Sequence, residues 1–518
     1  MPDSVAVEQD IRNILDLLSQ AARDRPDHVA LRCGTATVRW SELSDAVRAT
    51  ANGLRELRPG PGDRLALVSP NGIDWVVAYF AALAADLVVV PGNPAYTGAE
   101  LGRLLADSGA RVLVGTPEVH EATADHTVTR YVVGGAHPAA RPFAELRADG
   151  DLTAPVRGGE DTAVLLYTSG TSGTPRAAML SHRALLANGE QLAALDPPPV
   201  GPDDVVLLAL PLFHAFGLGP GLHAVVRHAA TGVLVTRFDA ETTLDDLSRY
   251  EVSTVLGVPS MYAAWVRRPG FAERFARVRL AVTGAAPLAP ETRQALADAG
   301  VEPWDGYGLT EAGPVVTSSL VAPARRTTGS VGRPLAGVEL RLVGADGEPI
   351  SAEEYEEDAD ASPGTDPGEI HVRGANLFSG YWPDGVDGPD ADGWWATGDV
   401  GYVDEDGDLF LVDRIGELIL VSGFNVYPRE VELVLVDHPA VREAAVVGAP
   451  HPLTGQAVRA FVVLYDGAHV GEDDLIDYCH RYLAHFKCPV GVDFVAELPH
   501  SATGKVRKSV LRDTGGRD

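Results

Sequence analysis

The sequence predicts an α/β protein: a large N-terminal domain of two α/β sheet subdomains plus a small β-rich subdomain, followed by a small α+β C-terminal domain. Three observations support this prediction. Strand and helix patterns alternate as far as residue 282, short strands and turns follow residue 325, and the last hundred residues mix helices with strands. With 518 residues and 45% hydrophobic content, the chain is large enough to divide into two or more domains.

The N-terminal part begins with an amphipathic helix, whose apolar residues are Ile11, Ile14, Leu15, Leu17 and Leu18. Strand and helix patterns then alternate at 64–68, 74–85, 87–90 and 111–114. Further strands are predicted at 205–210, 232–235, 254–258 and 279–282. Alternation of this kind is typical of parallel sheets, and its recurrence indicates two sheets rather than one oversized sheet.

The β-rich subdomain is predicted from short strands at 338–343, 369–373, 401–403 and 409–412. Residues 351–366 between them are acidic and poor in apolar side chains, which favours an exposed loop over a cation site. The C-terminal domain is predicted from helices at 428–435 and 473–483 and strands at 444–447 and 460–464. A boundary near 413–416 divides the two domains.

Composition excludes several classes of function. The formal net charge of −30 argues against nucleic acid as a partner, because phosphate backbones are bound by basic surfaces. The three cysteines, Cys33, Cys479 and Cys488, have no metal-ligand spacing. The longest apolar stretch, 75–90, is too short to span a bilayer, and the N-terminus lacks a basic signal-peptide start. We therefore expect no membrane span and a cytoplasmic location.

A loop rich in Gly, Ser and Thr follows the apolar run 163–166 and reads Tyr-Thr-Ser-Gly-Thr-Ser-Gly-Thr-Pro-Arg at 167–176. Gly170 and Gly173 allow backbone N–H groups to turn toward an anion, and the hydroxyls supply further donors. From the loop alone, a phosphate cradle and a solvated linker are equally supported. Neither a P-loop GxxxxGK[ST] motif nor a GxGxxG motif after a strand is present, so those two nucleotide-binding classes are unsupported.

Other short motifs accompany this loop along nearly the whole chain. They are Asn93-Pro94-Ala95-Tyr96, Pro211-Leu212-Phe213-His214, Gly284-Ala285-Ala286-Pro287-Leu288, Gly306-Tyr307-Gly308-Leu309-Thr310-Glu311, Thr397-Gly398-Asp399, Asp413-Arg414, Ser422-Gly423-Phe424-Asn425-Val426-Tyr427-Pro428 and Thr503-Gly504-Lys505. In this order they resemble the adenylate-forming superfamily, which contains acyl-CoA synthetases, adenylation domains and beetle luciferases. The resemblance implies an AMP-binding adenylation domain at 1–412, a hinge at 413–417 and a mobile C-terminal domain at 418–518 that carries the catalytic lysine.

The resemblance also implies roles for the nucleotide-site residues. The ATP phosphates would be bound by Thr168, Ser169, Gly170, Thr171, Ser172, Gly173, Thr174 and Arg176. Tyr307, between Gly306 and Gly308, would stack on adenine, and Asp399 would accept from the ribose hydroxyls. Glu311 would bind Mg²⁺ beside Thr310, which approaches the α-phosphate. Arg414 would contact the ribose or phosphate.

Lys505 would bridge the carboxylate and the α-phosphate during adenylation, where a compact charge on a flexible stem fits well. Only three lysines, Lys487, Lys505 and Lys508, occur among 42 basic residues, so a lysine within a motif is informative. For the second half-reaction, Ser422 and Gly423 would line the pantetheine tunnel and Gly416 would lie at the hinge. His214, Gly284 and Ala285 would form the acyl pocket. The segment that begins at His214 lacks the aspartate by which amino-acid-selecting relatives bind an α-amine, which favours an acid without one.

Two departures limit this assignment, because Arg176-Ala177 replaces the usual Lys-Gly and Gly416 replaces Asp or Lys. The first hypothesis is an ATP- and Mg²⁺-dependent ligase that converts a fatty or aryl acid into acyl-AMP and then into acyl-CoA. An alternative is delivery to a carrier-protein phosphopantetheine, or activation of an unusual secondary-metabolite acid. A nucleotide-binding pseudoenzyme is a third reading, disfavoured because Glu311, Asp399, Arg414 and Lys505 are all present.

Overall fold

The computed structural model describes most of the chain. The described residues are 12–151, 154–168, 175–322, 327, 329–344, 346–350, 365–414, 417, 419–421, 424–451, 455–483, 485–500 and 505–514. Among them, no helix combines the length and the apolar character needed to cross a membrane.

The described helices and strands follow one another through the whole chain. In chain order the α-helices are α1 (Ile14–Asp24), α2 (Trp40–Glu56), α3 (Ile73–Ala84), α4 (Gly98–Ser108), α5 (Pro117–Ala122), α6 (His182–Ala193), α7 (Ala224–Arg227), α8 (Ala240–Arg249), α9 (Pro259–Val266), α10 (Phe271–Phe275), α11 (Pro290–Asp298), α12 (Pro428–Val436), α13 (Glu472–His480) and α14 (Lys508–Thr514). The strands are β1 (Val29–Cys33), β2 (Ala36–Arg39), β3 (Arg64–Val68), β4 (Val88–Pro91), β5 (Val112–Gly115), β6 (Thr129–Val132), β7 (Arg141–Pro142), β8 (Thr162–Thr168), β9 (Arg176–Ser181), β10 (Val205–Leu208), β11 (Thr231–Leu234), β12 (Thr254–Gly257), β13 (Leu280–Thr283), β14 (Pro303–Gly308), β15 (Val315–Ser318), β16 (Arg333–Pro334), β17 (Val338–Val343), β18 (Gly368–Gly374), β19 (Trp394–Val403), β20 (Leu409–Arg414), β21 (Ile419–Val421), β22 (Phe424–Val426), β23 (Val441–His451), β24 (Gly455–Leu464) and β25 (Gly491–Phe494).

Two large sheets form the N-terminal part, as the alternating pattern predicted. One has the strand order β7-β6-β5-β3-β4-β8-β9, and the other has the order β16-β15-β14-β13-β12-β10-β11-β1-β2. Their central strands pair in parallel, and antiparallel strands close the edges at β8/β9, β1/β2 and β14/β15/β16. The parallel strands are short and buried, as expected where helices cover both faces of a sheet.

One hydrophobic core connects the two large sheets. Helix α3 is apolar on all sides, and its residues from Trp75 to Ala84 are buried, which is typical of a helix enclosed within a core. The rings of Trp75 and Tyr79 stack with their centroids 5.4 Å apart. The large sheets and the helices between them therefore form a rigid frame for the strand ends.

The β-rich subdomain is an antiparallel sheet of order β17-β18-β19-β20. The C-terminal part has its own sheet, with β22, β21, β24 and β23 side by side and β25 paired with β24. Val431 and Leu435 of α12, Leu475 of α13 and Val446 of β23 belong to a separate hydrophobic cluster. The mixed α+β architecture predicted for this part is confirmed.

The path of the chain around the Gly/Ser/Thr loop differs from the sequence expectation. The sequence analysis placed the loop after the apolar run 163–166 and predicted no strand directly after it. The structure instead inserts β9, which pairs antiparallel with β8 from Thr168↔Arg176 to Thr162↔Ser181. The loop therefore connects the two strands of a hairpin at one edge of a sheet.

Helix α2 and the short turn Phe143–Leu146 approach each other closely, and a substitution at this contact tests the packing of the N-terminal part. A Cβ atom at Gly53 would overlap the carbonyl oxygen of Leu146. In most helix interiors, Gly→Ala stabilises a protein by about 0.5–1 kcal/mol. We expect Gly53→Ala to destabilise this one by about 2 kcal/mol instead, because overpacking outweighs the helix propensity. Thermal unfolding measures the effect.

Gly189→Ala in α6 is the matched control, since its Cβ would have only the Arg227 Cδ within range, at 4.0 Å. It should leave the melting temperature unchanged or raise it. A Gly53→Ala protein as stable as Gly189→Ala would contradict the close contact of α2 with residues 143–146.

Candidate active site

A cleft of about 3850 Å³ lies where the ends of both large sheets meet the β-rich sheet and the C-terminal part. Many of the residues singled out from the sequence line it: Thr168, His214, Gly284, Ala285, Gly306, Tyr307, Gly308, Thr310, Glu311, Asp399 and Lys505. Residues far apart in the chain thus share one cavity. Other predicted positions lie outside the described residues: Ser169, Gly170, Thr171, Ser172, Gly173, Thr174, Gly416, Ser422 and Gly423.

Tyr307 and Asp399 are joined directly. The Tyr307 hydroxyl donates to Asp399 Oδ2 at 2.7 Å, and both side chains are buried. Asp399 lies on β19, where its backbone pairs with Arg414 of β20. Its N–H also donates to the Thr397 hydroxyl at 3.1 Å. The bond fixes an aromatic ring beside a carboxylate in the cleft.

Gly308, next to Tyr307 at the end of β14, has a structural role of its own. A Cβ atom there would overlap the carbonyl oxygen of Pro314, which follows the turn from β14 toward β15. The Leu309 N–H donates to the same Pro314 carbonyl at 2.9 Å. The chain therefore doubles back tightly after Tyr307, and this turn brings Thr310 and Glu311 to the cleft.

Glu311 lies in a short 3₁₀ turn, Thr310–Ala312, and its side chain is buried. The Tyr381 hydroxyl donates to Glu311 Oε1 at 2.7 Å. A carboxylate and the neighbouring Thr310 hydroxyl offer only oxygen ligands, which suit Mg²⁺. No group of three or more potential metal-ligating His, Cys, Asp or Glu side chains was found in the part of the chain that the structure describes. One protein carboxylate still fits Mg²⁺, which takes its remaining ligands from phosphates and water.

Arg176, at the start of β9, is held by contacts that the sequence does not predict. Its guanidinium pairs with Asp387 at 2.7 Å, and its guanidinium carbon lies 3.8 Å from the centroid of the Tyr381 ring. The planar cation thus stacks on the same tyrosine that donates to Glu311. Tyr381 and Asp387 were missed by sequence reasoning, since neither belongs to a motif used there.

His214 follows Pro211-Leu212-Phe213 and accepts from the Phe216 N–H through Nδ1 at 3.4 Å. Burial, and secondarily the charge of Lys505, lower its pKa to about 4. The imidazole is therefore neutral at neutral pH. Lys505, from the C-terminal part, lines the same cleft as His214.

Small and mainly apolar residues that follow His214 in the chain also line the cleft. Pro220 of the π-helix Gly217–His223, Ala224 of α7 and His228, which follows α7, are spaced by four, and all three line the cleft. Gly284 packs closely against Phe216, since a Cβ atom there would come within 3.1 Å of the Phe216 ring. Leu192, Ala193 and Val200 also line the cleft. The sequence drew attention to the glycine-rich run 216–221, but not to Ala224 or His228.

The other two lysines are bound to carboxylates. Lys487 pairs with both Glu430 oxygens at 2.7 and 2.8 Å, and Lys508 lies 2.8 Å from Glu417 and from Glu432. The C-terminal part also contacts the N-terminal part through the Tyr465 hydroxyl, which donates to Glu291 Oε1 of α11 at 3.2 Å. The lysine–carboxylate pairs lie within the C-terminal part, whereas the Tyr465–Glu291 hydrogen bond joins it to the N-terminal part.

Family models match both parts of the chain: the AMP-binding enzyme family over residues 18–382, and the AMP-binding enzyme C-terminal domain over residues 430–505. The chain therefore belongs to the AMP-binding enzyme family, as the motifs predicted. Relatives cover almost its whole length. A feruloyl-CoA synthase of Amycolatopsis sp is 35% identical over 95% of this chain and 96% of its own. A long-chain-fatty-acid–CoA ligase of Yersinia pestis is 34% identical over 97% of this chain and 94% of its own.

Among solved structures, ATP-bound MatB from Rhodopseudomonas palustris has a TM-score of 0.86 at 31% identity, covering 97% of this chain and 99% of that one. The large N-terminal and small C-terminal domains are thus those of an adenylate-forming enzyme. Family and relatives together identify an AMP-forming acid–CoA ligase. Its substrates are a small-molecule carboxylic acid, ATP and CoA.

Three enclosed histidines predict a pH dependence of stability. Burial lowers the pKa of His182 and of His214 to about 4, and that of His223 to about 3, from 6.5. Between about pH 6.5 and pH 4 the unfolded chain therefore binds more protons than the folded protein, so the free energy of unfolding falls as the pH decreases. His214→Gln should lose less stability over this range than the unsubstituted protein. Denaturant unfolding at several pH values measures the slope, and an unchanged slope would contradict a neutral buried His214.

Proposed function

We propose that this ligase activates a fatty or aryl acid without an α-amino group, and that Tyr307, Asp399, Glu311 and Lys505 form its adenylation site. One observation carries the proposal: these side chains come from both the N-terminal and the C-terminal domain and line the same cleft. In the first half-reaction, a carboxylate oxygen of the acid attacks the α-phosphorus of ATP and pyrophosphate leaves. In the second, the CoA sulfur attacks the acyl carbon, the C–O bond breaks, and AMP leaves.

The first step brings one anion onto another, so positive charge must be placed where the reacting oxygens meet. Lys505 is assigned to this position, between the carboxylate and the α-phosphate. The contribution of Lys505 to the low pKa of His214 supports a location beside the proposed acyl pocket. Mg²⁺ held by Glu311 would neutralise phosphate charge and polarise the phosphoryl oxygens. The Thr310 hydroxyl lies next to Glu311 and would donate to the α-phosphate.

The remaining nucleotide contacts are assigned from their positions in the fold. Asp399 would accept from the ribose, with Arg414 as its cross-strand neighbour, and Tyr307 would pack on adenine. Loop residues 168–174 would surround the β- and γ-phosphates, since Thr168 ends β8 at the cleft. Arg176 would contribute its charge from the other end of the hairpin.

The domain division at 1–412, 413–417 and 418–518 fits the separate C-terminal core. Rotation about a hinge at Gly416 would withdraw Lys505 after adenylation and bring Ser422 and Gly423 to the pantetheine path. A tunnel requires small residues there, because a side chain would obstruct the thiol. A cytoplasmic location matches an enzyme that uses ATP and CoA.

The acyl channel supports an apolar acid. Its lining combines small and apolar residues, among them Gly284, Ala285, Ala224 and Val200, and its mouth contains a neutral imidazole. Such a wall favours alkyl or aryl groups over a second carboxylate. Feruloyl and long-chain acyl groups, which appear in the names of the two relatives, are both of this kind.

A panel of acids tests the substrate assignment. Pyrophosphate release should require ATP and an alkyl or aryl acid, should be absent with α-amino acids, and should be followed by acyl-CoA when CoA is present. Gly284→Leu should lower kcat/KM for bulky acids by about tenfold or more while affecting the shortest acids less, because the new side chain competes with Phe216 for space. Equal loss for all acids would contradict a place for Gly284 in the acyl pocket.

The same panel separates the alternatives. Thioester formation only on a phosphopantetheinyl carrier protein would favour the carrier-dependent ligase. ATP binding without pyrophosphate release from any acid would favour a pseudoenzyme.

Lys505→Ala tests the assignment of the catalytic lysine. Adenylation should fall roughly a hundredfold or more, as expected when a charge aimed at the transition state is removed. Thioester formation from a supplied acyl-adenylate should largely persist. The two half-reactions are followed separately, by pyrophosphate release and by CoA consumption.

Lys487→Ala is the matched control, since Lys487 is paired with Glu430. It should leave both half-reactions within a few-fold of the starting enzyme. If Lys505→Ala slowed both half-reactions equally, the assigned role would be wrong.

A further inference from the structure

The segment Phe378–Trp382 joins the two sides of the predicted phosphate site. The Phe378 N–H donates to the Glu311 carbonyl at 2.8 Å. On its other side, the Met179 N–H donates to the Gly380 carbonyl at 3.0 Å, and the Trp382 N–H donates to the Ala177 carbonyl at 2.9 Å. These backbone bonds connect β9, which follows the Gly/Ser/Thr loop, to the turn that carries Glu311.

Tyr381 lies at the centre of this segment and makes side-chain contacts in both directions. Its hydroxyl is 2.7 Å from Glu311 Oε1, and its ring is covered by the guanidinium of Arg176 at 3.8 Å. Arg176 is in turn oriented by its ion pair with Asp387. A cation on the ring face withdraws electron density and strengthens the hydroxyl as a donor.

We propose that Tyr381 is a positioning residue for the metal site: its hydroxyl fixes the carboxylate of Glu311 for Mg²⁺, and the stacked Arg176 fixes the ring. This inference rests on the proposed role of Glu311 as the Mg²⁺ ligand. It goes beyond that role, since Tyr381 itself would touch neither metal nor nucleotide.

The physical argument starts from the burial of Glu311. A buried ionised carboxylate needs a hydrogen-bond donor, and without one it turns toward another partner or takes up a proton. The tyrosine donor binds one carboxylate oxygen and leaves the other to a cation. Hydrogen-bond partners of metal-ligating side chains contribute in this way to the affinity of the site, and their loss typically weakens metal binding 10–100-fold.

Arg176 couples this arrangement to the phosphate loop. It follows the loop directly, so nucleotide phosphates that draw its guanidinium forward would also act on the ring beneath it. A lysine at this position would keep the charge but would lose the planar stack and the two-sided contact with Tyr381 and Asp387. The arginine therefore has a distinct function at this site, rather than serving as a simple replacement for lysine.

Tyr381→Phe is the direct test, because it keeps the ring under Arg176 and removes only the hydroxyl. ATP binding is measured by calorimetry in a series of Mg²⁺ concentrations, without an acid substrate. The Mg²⁺ concentration that gives half of the binding enhancement should rise about tenfold. Binding of ATP in the absence of Mg²⁺ and the melting temperature should change little. An Mg²⁺ requirement within twofold of the starting protein would overturn the inference.

Two further variants complete the test. Arg176→Lys should raise the Mg²⁺ requirement by a smaller factor of about two to three, since the hydroxyl remains but its ring loses the planar stack. An unchanged Mg²⁺ requirement would overturn the part of the inference that assigns Arg176 to fixing the ring.

Glu311→Gln separates this inference from the proposed function. If it leaves the Mg²⁺ requirement unchanged, the metal assignment itself fails; if it raises the requirement while Tyr381→Phe does not, only the role of Tyr381 fails.

Discussion

The buried carboxylate of Glu311 is the constraint on which the chemistry of the cleft depends. It lines the cleft in which ATP and the carboxylate of the acid, both anions, are proposed to meet, in a protein that already carries a net charge of −30. Repulsion between the anionic substrates and the acidic protein can be overcome only if cations arrive together with the substrates. The proposed Mg²⁺ and Lys505 supply them from two directions, one with the nucleotide and the other with the C-terminal domain.

The fold separates the fixed parts of this site from the part that is proposed to move. Tyr307, Asp399 and Glu311 are held by strand ends and by tight turns on a common frame, and each of the three side chains makes a hydrogen bond within that frame. Lys505 instead belongs to a domain with its own core. The Tyr465 hydroxyl bonded to Glu291 is exposed and lies at the periphery, so this contact can be broken at little cost. A rigid nucleotide site and a detachable cation are what two successive reactions in one cleft require.

The sequence predicted the features that have a local signal. Strand and helix periodicity indicated both large sheets, and the ordered motifs that contain Tyr307, Glu311, Asp399 and Lys505 resembled those of the family. The features it missed depend on contacts between distant segments. Arg176 meets Asp387 across more than two hundred residues, and the short strand β9 has too mixed a pattern to stand out beside the helix that follows. The close packing of Gly308 against the Pro314 carbonyl likewise has no signal in the sequence.

His214 adds a last argument for Lys505 as the mobile charge. Burial is the main cause of the low pKa of His214, and Lys505 is the secondary one. If Lys505 is withdrawn as proposed, burial of His214 remains, and the imidazole would still have little tendency to take up a proton at neutral pH. His214 would therefore not replace the departing cation, and the cleft beside it would become less positive after adenylation. The mobile charge is thus proposed to be present for the step that joins two anions, where it is needed most.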